Sequence, residues 1–347
     1  MFGRVETHRL LSPLHMARRM LRGSTATTAS TTSTTSITGT ASTASTASTA
    51  STASTASLLP DGPSSSSPLS VEQALLRHEE LPEWFRQRVA PIIVLGYRPT
   101  DRPKLYYARS LFWPFSNESI NVWTHGLGGC VFLAQMASPE TDPWLMVYEA
   151  AAALCFLVSA TNHLIGPSSE TTFDALTRAD YAAIFLLIGV SALPWFTVEL
   201  HCHPTLQAVA VVSTGFLALL LAWLVATQEW FSRDSPRGKF VRVMSFGSFG
   251  LTCTAFGGAS QLLGFRAKPY LEAEPLLGPA LLGVSVFYGS AIAIYASGWP
   301  EVRHPRTFDL VGASHQWMHV FTFTAALLSG WCIRRAREVQ DSVISCP

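Results

Sequence analysis

From residue 120 onward the chain carries seven apolar stretches, each near the roughly 20 residues that a helix needs to cross a bilayer. They lie at about 120–138, 144–165, 181–199, 205–227, 243–264, 276–299 and 310–333. The fourth, fifth and sixth contain no Asp, Glu, Lys or Arg. One water-soluble core cannot absorb that much apolar helix. In hydrocarbon every backbone polar group has to be satisfied internally, and at these lengths only helices do so. The expected fold class is therefore all-α, a seven-transmembrane helix bundle of a multi-pass integral membrane protein. Charged residues make up 14% of the 347, against roughly 25% in soluble domains. A net charge of +1 and the absence of a basic groove pattern argue against a nucleic-acid partner.

The rest of the chain divides around the bundle. Residues 1–23 are Arg-rich, and 24–57 are almost wholly Ser, Thr and Ala, ending in STA triplets. Such a composition cannot bury a core, so 1–69 is expected to be a disordered tail. No apolar run precedes residue 120, so no cleavable secretory signal is expected. Residues 70–118 read as a cytoplasmic juxtamembrane segment. In it VEQALLRHEELPEWFRQRVAPI forms a short amphipathic helix interrupted or restarted at Pro82, and GYRPTDRPKL is a turn-rich connector. LFWPF then sets aromatic rings at the membrane interface. The seven-helix domain takes 119–333, and 334–347 is a short extracytoplasmic tail.

With an intracellular N-terminus, eleven Lys and Arg residues near the spans fall inside. Five fall outside: Arg266, Lys268, Arg334, Arg335 and Arg337. The excess favours N-in and C-out, with the three tail arginines dissenting. Of the six cysteines none forms a CxxC pair, and five lie in or beside apolar segments. They read as small apolar residues, not as a disulfide frame or a thiolate metal site. The glycines of FGSFG and FGGAS read as close-packing positions in the fifth segment.

Chemistry concentrates in a few polar residues. His315 and His319 stand four apart in the last segment, which puts both imidazoles on one helix face. Ionisable side chains inside membranes are rare and usually functional. His163 closes the second segment, with Ser159 one turn before it, and Asp180 opens the third. In any alternating bundle the second exit, the third start and the seventh start share a leaflet, the inner one on the charge count. Three neutral imidazoles with one open position describe a catalytic zinc site, in which the metal lowers the pKa of its water to about 7. Asp180 suits a proton acceptor and Ser159 a hydrogen-bonding partner for that water or for a substrate carbonyl. Taken singly, each residue has a plainer reading. A histidine can bridge helices, an aspartate can complement a helix dipole, and a serine can bond back to its own helix. The shared leaflet favours the joint reading. His125 is expected to cap or pack at the interface, and Glu149 to face the bundle interior. His201 and His203 read as solvated loop residues on the opposite side.

These residues resemble the progestin and adipoQ receptor family, within the haemolysin III-like group. The similar pieces occur in order: GYRP at 96–99, NESINVWTH at 117–125, SATNH at 159–163, Asp180, and FDLVGASHQWMH at 308–319. The resemblance covers about 75–335 and leaves out the STA-repeat tail. It implies seven helices with an intracellular N-terminus and Zn2+ held near the cytoplasmic leaflet by His163, His315 and His319. Ser159 and Asp180 then stand around the bound water. It further implies lipid signalling or lipid metabolism in a plasma membrane or endomembrane, with ceramidase-type amide hydrolysis associated with the group. LLIGVSALPW, and a chain that stops soon after the seventh segment, look more like the adiponectin-receptor branch.

Two functions follow. One is an adiponectin-receptor-like protein that hydrolyses the amide of a ceramide-like membrane lipid. The other is a signalling receptor, progestin-receptor-like, with purely structural zinc. It would take a protein or steroid ligand and dock a cytosolic partner at residues 70–118. Asp180 separates the two, because hydrolysis needs a base and structural zinc does not. A proton-relay transporter fits less well, since the central spans lack charges and no inverted repeat is visible.

Overall fold

A computed structural model describes residues 75–138, 142–228, 231, 236–262, 268–343 and 346. The expected tail at 1–69 lies outside the described residues. Among the described residues seven helices are 18 residues or longer: α1 (Ser119–Met136), α2 (Pro143–Ile165), α3 (Glu170–Glu199), α4 (Pro204–Thr227), α5 (Pro236–Leu262), α6 (Leu277–Ser297) and α7 (Ser314–Val343). They contain no strand, and the one extended pairing is an isolated bridge between Leu76 and Tyr97. Each helix covers one of the seven apolar stretches.

Four helices, α2, α3, α4 and α6, are long and apolar enough to cross a membrane on length and composition alone. Two of them bury little of that apolar surface, unlike helices of a water-soluble core. The most apolar window, in α4 with a mean hydropathy of 2.4, is only 22% buried, and that of α6 only 11%. Val209, Val212, Phe216, Leu219 and Trp223 form one exposed face of α4. A contiguous apolar face of this size is costly in water and ordinary in lipid. Phe112 and Trp113 of the LFWPF stretch are likewise exposed.

Local sequence explains where helices start. Asp142 caps α2 by accepting from the Trp144 and Leu145 amides, with Pro143 in the first turn, where its missing N–H costs nothing. Ser169 caps α3 through the Thr172 amide, so α3 begins at Glu170 and not near 181. Its first turns are polar and form a dock. Arg88 bonds Asp174 at 2.7 Å and Glu170 at 2.8 Å, while Phe173 packs against Phe85. The juxtamembrane stretch is no continuous amphipathic helix. A turn at His78–Glu80 is followed by a restart at Glu83–Arg86 with Pro82 as its cap. Leu81, Phe85 and Tyr97 form its core. Gly96 sits at φ +91°, in the left-handed region that favours glycine, and an added Cβ would lie 2.4 Å from Leu310.

Helix α3 contributes to several buried clusters of the bundle. Phe132 of α1, Tyr148 and Phe156 of α2, Leu187 of α3 and Ala326 of α7 form one buried cluster. Phe185 of α3, Ala218 of α4 and Phe249 of α5 belong to another. Close glycine contacts are Gly189 of α3, where a Cβ would meet that of Ala218 at 2.4 Å, and Gly129 of α1, where it would meet Leu157 at 2.5 Å. The FGSFG glycines do not pack closely. Gly247 faces open space and Gly250 reaches only Ile188, at 4.0 Å.

Helix α7 runs to Val343, ten residues past the expected end of its span, because its arginines find partners. Arg334 pairs with Glu149 at 3.1 Å, Arg335 with Glu274 at 2.5 Å and Arg337 with Asp142 at 2.6 Å. Gln340 reaches His201 Nδ1 at 2.6 Å. The extended helix returns the chain end to the α3–α4 turn, where Cys202 and Cys346 form a disulfide with Cα atoms 5.2 Å apart. This corrects the cysteine reading for those two residues. A pair 144 positions apart leaves no local spacing signal. Cys155 and Cys332 are buried free thiols, as small apolar residues would be.

Candidate functional site

The three histidines meet. His315 Nε2 lies 3.3 Å from His163 Nε2 and 3.2 Å from His319 Nε2. One ligand atom from each of the three lies within 4.8 Å of the others, and no second such group occurs among the described residues. His163 stands in the last turn of α2. His315 and His319 rise from the first two turns of α7, whose start is held from outside the helix. Glu301 accepts from the Ser314 amide at 2.7 Å and from its hydroxyl. Gln316 accepts from the Gly312 amide at 2.6 Å and donates to the Asn117 carbonyl at 3.1 Å.

Asp180 and Ser159 are both buried beside the cluster. Asn162 Nδ2 donates to Asp180 Oδ2 at 3.3 Å, and Ser159 lies near the same carboxylate. Asp180 is near enough to His163 for the two to interact electrostatically. The structure therefore gathers all five residues expected from the sequence at one end of the bundle. His201 lies at the other end, and Glu149 is buried against Arg334.

Three further residues, not singled out from sequence, belong to this end, as does His125. Glu118 Oε2 lies 2.7 Å from His163 Nδ1. Arg98 donates to the His163 carbonyl and, at 2.8 Å, to Ser110 Oγ. Asn162 orients Asp180. His125, expected at the interface, is buried and stacks on His319 with centroids 3.5 Å apart and planes at 20°. The GYRP, NESINVWTH and SATNH pieces contain all four, so the signal was present as pattern without a role attached. The loop before α7 joins in as Asp309 accepts from the Val94 and Leu95 amides at 2.9 and 2.8 Å.

The Haemolysin-III related family matches residues 113–329. The chain belongs to that family. The matched region of this haemolysin-III relative runs from just before α1 into α7 and contains the three histidines, Ser159, Asp180 and Glu118. Membrane progestin receptor alpha of Sus scrofa is 28% identical over 257 residues, which is 68% of this chain and 69% of the relative. Heptahelical transmembrane protein 1 of Arabidopsis thaliana is 28% identical over 279 residues, 73% of this chain and 78% of the relative. Progestin and adipoQ receptor-like protein 1 of Caenorhabditis elegans is 26% identical over 267 residues, 73% and 59% of the two chains. Membership of the progestin and adipoQ receptor family, expected from the motifs, is thereby established, as is an integral membrane location. The names of these relatives do not assign the adiponectin-receptor branch.

Proposed function

We propose that this chain is an adiponectin-receptor-like, seven-span membrane protein that holds zinc on His163, His315 and His319 and hydrolyses the amide of a ceramide-type lipid. The convergence of three imidazole nitrogens on one point carries the reading. Zinc–nitrogen bonds of about 2.0–2.1 Å in a tetrahedron place ligand nitrogens roughly 3.3–3.4 Å apart; two of the three separations, 3.3 and 3.2 Å, match that spacing, and all three nitrogens lie within 4.8 Å of one another. Two of these nitrogens facing a third cannot all be satisfied by imidazole protons alone.

When bound, zinc supplies Lewis acidity toward water and toward an amide carbonyl. The chain's own residues do the rest. Asp180 accepts the proton of the attacking water, its carboxylate held in position by Asn162 with Ser159 beside it. The water oxygen bonds the acyl carbon, the C–N bond breaks, and Asp180 returns the proton to the departing amine. The products are a free fatty acid and a sphingoid base.

An intracellular N-terminus is part of the proposal. The three dissenting arginines of the charge count are each ion-paired on the helix bundle, with Glu149, Glu274 and Asp142. The Cys202–Cys346 disulfide supports the same orientation, because disulfides persist in oxidising compartments. The test is release of fatty acid from a ceramide-type lipid by the purified protein, with and without zinc. Zinc-dependent release is the expected result, and none from zinc-loaded protein would reject the hydrolase. The second reading, a receptor with structural zinc and a steroid ligand, draws on the relatives named membrane progestin receptor alpha. Saturable steroid binding together with inert ceramide would favour it.

A further inference from the structure

We infer that Glu118, from a helix that contributes no metal ligand, is a positioning residue that fixes the tautomer and ring orientation of His163 for metal binding. The inference rests on the zinc reading above and deepens it. A carboxylate is an acceptor only, so at 2.7 Å from Glu118 Oε2 the Nδ1 of His163 carries the ring proton. The proton of a neutral imidazole can sit on one nitrogen alone. Nε2 therefore presents its lone pair, and Nε2 is the atom aimed at His315. A carboxylate behind a ligating histidine also raises its basicity.

Helix geometry argues against a merely local role. Glu118 occupies the N-cap of α1, where an acidic side chain ordinarily serves the exposed amides. Its side chain makes no capping bond. The carboxylate is turned to His163 instead, 45 positions away. Asn121, buried in the first turn of α1, donates to the same Oε2 at 2.7 Å and fixes the acid in turn. From the other side Arg98 grips the His163 carbonyl and anchors the end of α2. The histidine is thus held at its ring and at its backbone by two different segments, and the seat of α1 is tied to metal affinity.

The experiment uses the full chain in lipid nanodiscs. Zinc affinity is measured by chelator competition, and cobalt is substituted to read ligand geometry from its visible spectrum. In Glu118→Gln the amide can donate to Nδ1 and drive the proton to Nε2, which then cannot ligate. Zinc affinity should fall by about 10–100-fold, and the cobalt spectrum should change, with thermal stability of the metal-free protein unaltered. Glu118→Asp keeps an acceptor-only group and should recover most of the affinity. Wild-type affinity and spectrum in Glu118→Gln would overturn the inference and leave the zinc reading standing. So would a lost affinity that Glu118→Asp fails to restore together with an unstable metal-free variant, since that pattern marks a structural role. A wild-type protein that binds no zinc would reject the metal reading and this inference with it.

Discussion

Asp180→Asn separates chemistry from architecture. Asp180 is 8% exposed and receives a hydrogen bond from Asn162 at 3.3 Å. Asparagine is nearly isosteric, and its carbonyl oxygen can accept the Asn162 bond. The substitution also removes a buried charge, which lowers the desolvation cost of the site. Neither the fold nor the three-histidine cluster should therefore suffer. What disappears is the ability to take a proton at neutral pH. A positioned general base contributes on the order of 10²–10⁴ in rate, or about 3–5 kcal/mol of activation free energy. The assay adds a ceramide-type lipid to nanodiscs holding wild-type or variant protein at equal zinc content, and follows fatty acid and sphingoid base. A loss within that range is expected. Hydrolysis at the wild-type rate in Asp180→Asn would refute the role given to Asp180.

Other consequences are simpler to read. Gly96→Ala puts a side chain at φ +91° against Leu310, and should cost about 1–3 kcal/mol of stability, measured by denaturation of the purified protein. Burial pushes the Asp142 carboxyl up, but Arg337 together with the Leu145 and Trp144 amides outweighs it and holds the carboxyl below its ordinary range. Its contribution is complete above the unfolded value of about 3.9 and is lost as pH falls through the lower folded value. Arg337→Gln should therefore flatten the stability profile at acid pH. Cys202 and Cys346 should resist a membrane-impermeant maleimide on intact cells until reduced, then react from the outside, while a tag at the N-terminus stays protected. Reaction only after permeabilisation would reverse the proposed topology.

The helices were legible because seven apolar runs of bilayer length leave few other ways to fold. Their ends were not, since hydropathy sees only the lipid-facing part. Helix α3 starts at Glu170 through the Ser169 cap and the Arg88 pairs, and α7 continues to Val343 on three ion pairs. His163, His315, His319, Ser159 and Asp180 stood out as polar groups in apolar segments whose leaflet follows from chain parity. Glu118 and Arg98 did not, because they lie in a polar connector where charge is unremarkable, and reach His163 across 45 and 65 positions. His125 was taken for an interface residue, and only packing shows it flat against His319. The disulfide was hidden for the same reason, its partners being brought together by the length of α7.

The central claim is a zinc ion shared by helices α2 and α7. Elemental analysis of the purified full chain tests it most directly, with His315→Ala and His319→Ala measured alongside. The account predicts about one zinc per wild-type chain, the stoichiometry of a mononuclear site, and loss of that zinc in both variants. Wild-type protein without zinc, or a double variant that keeps its full zinc content, would contradict it.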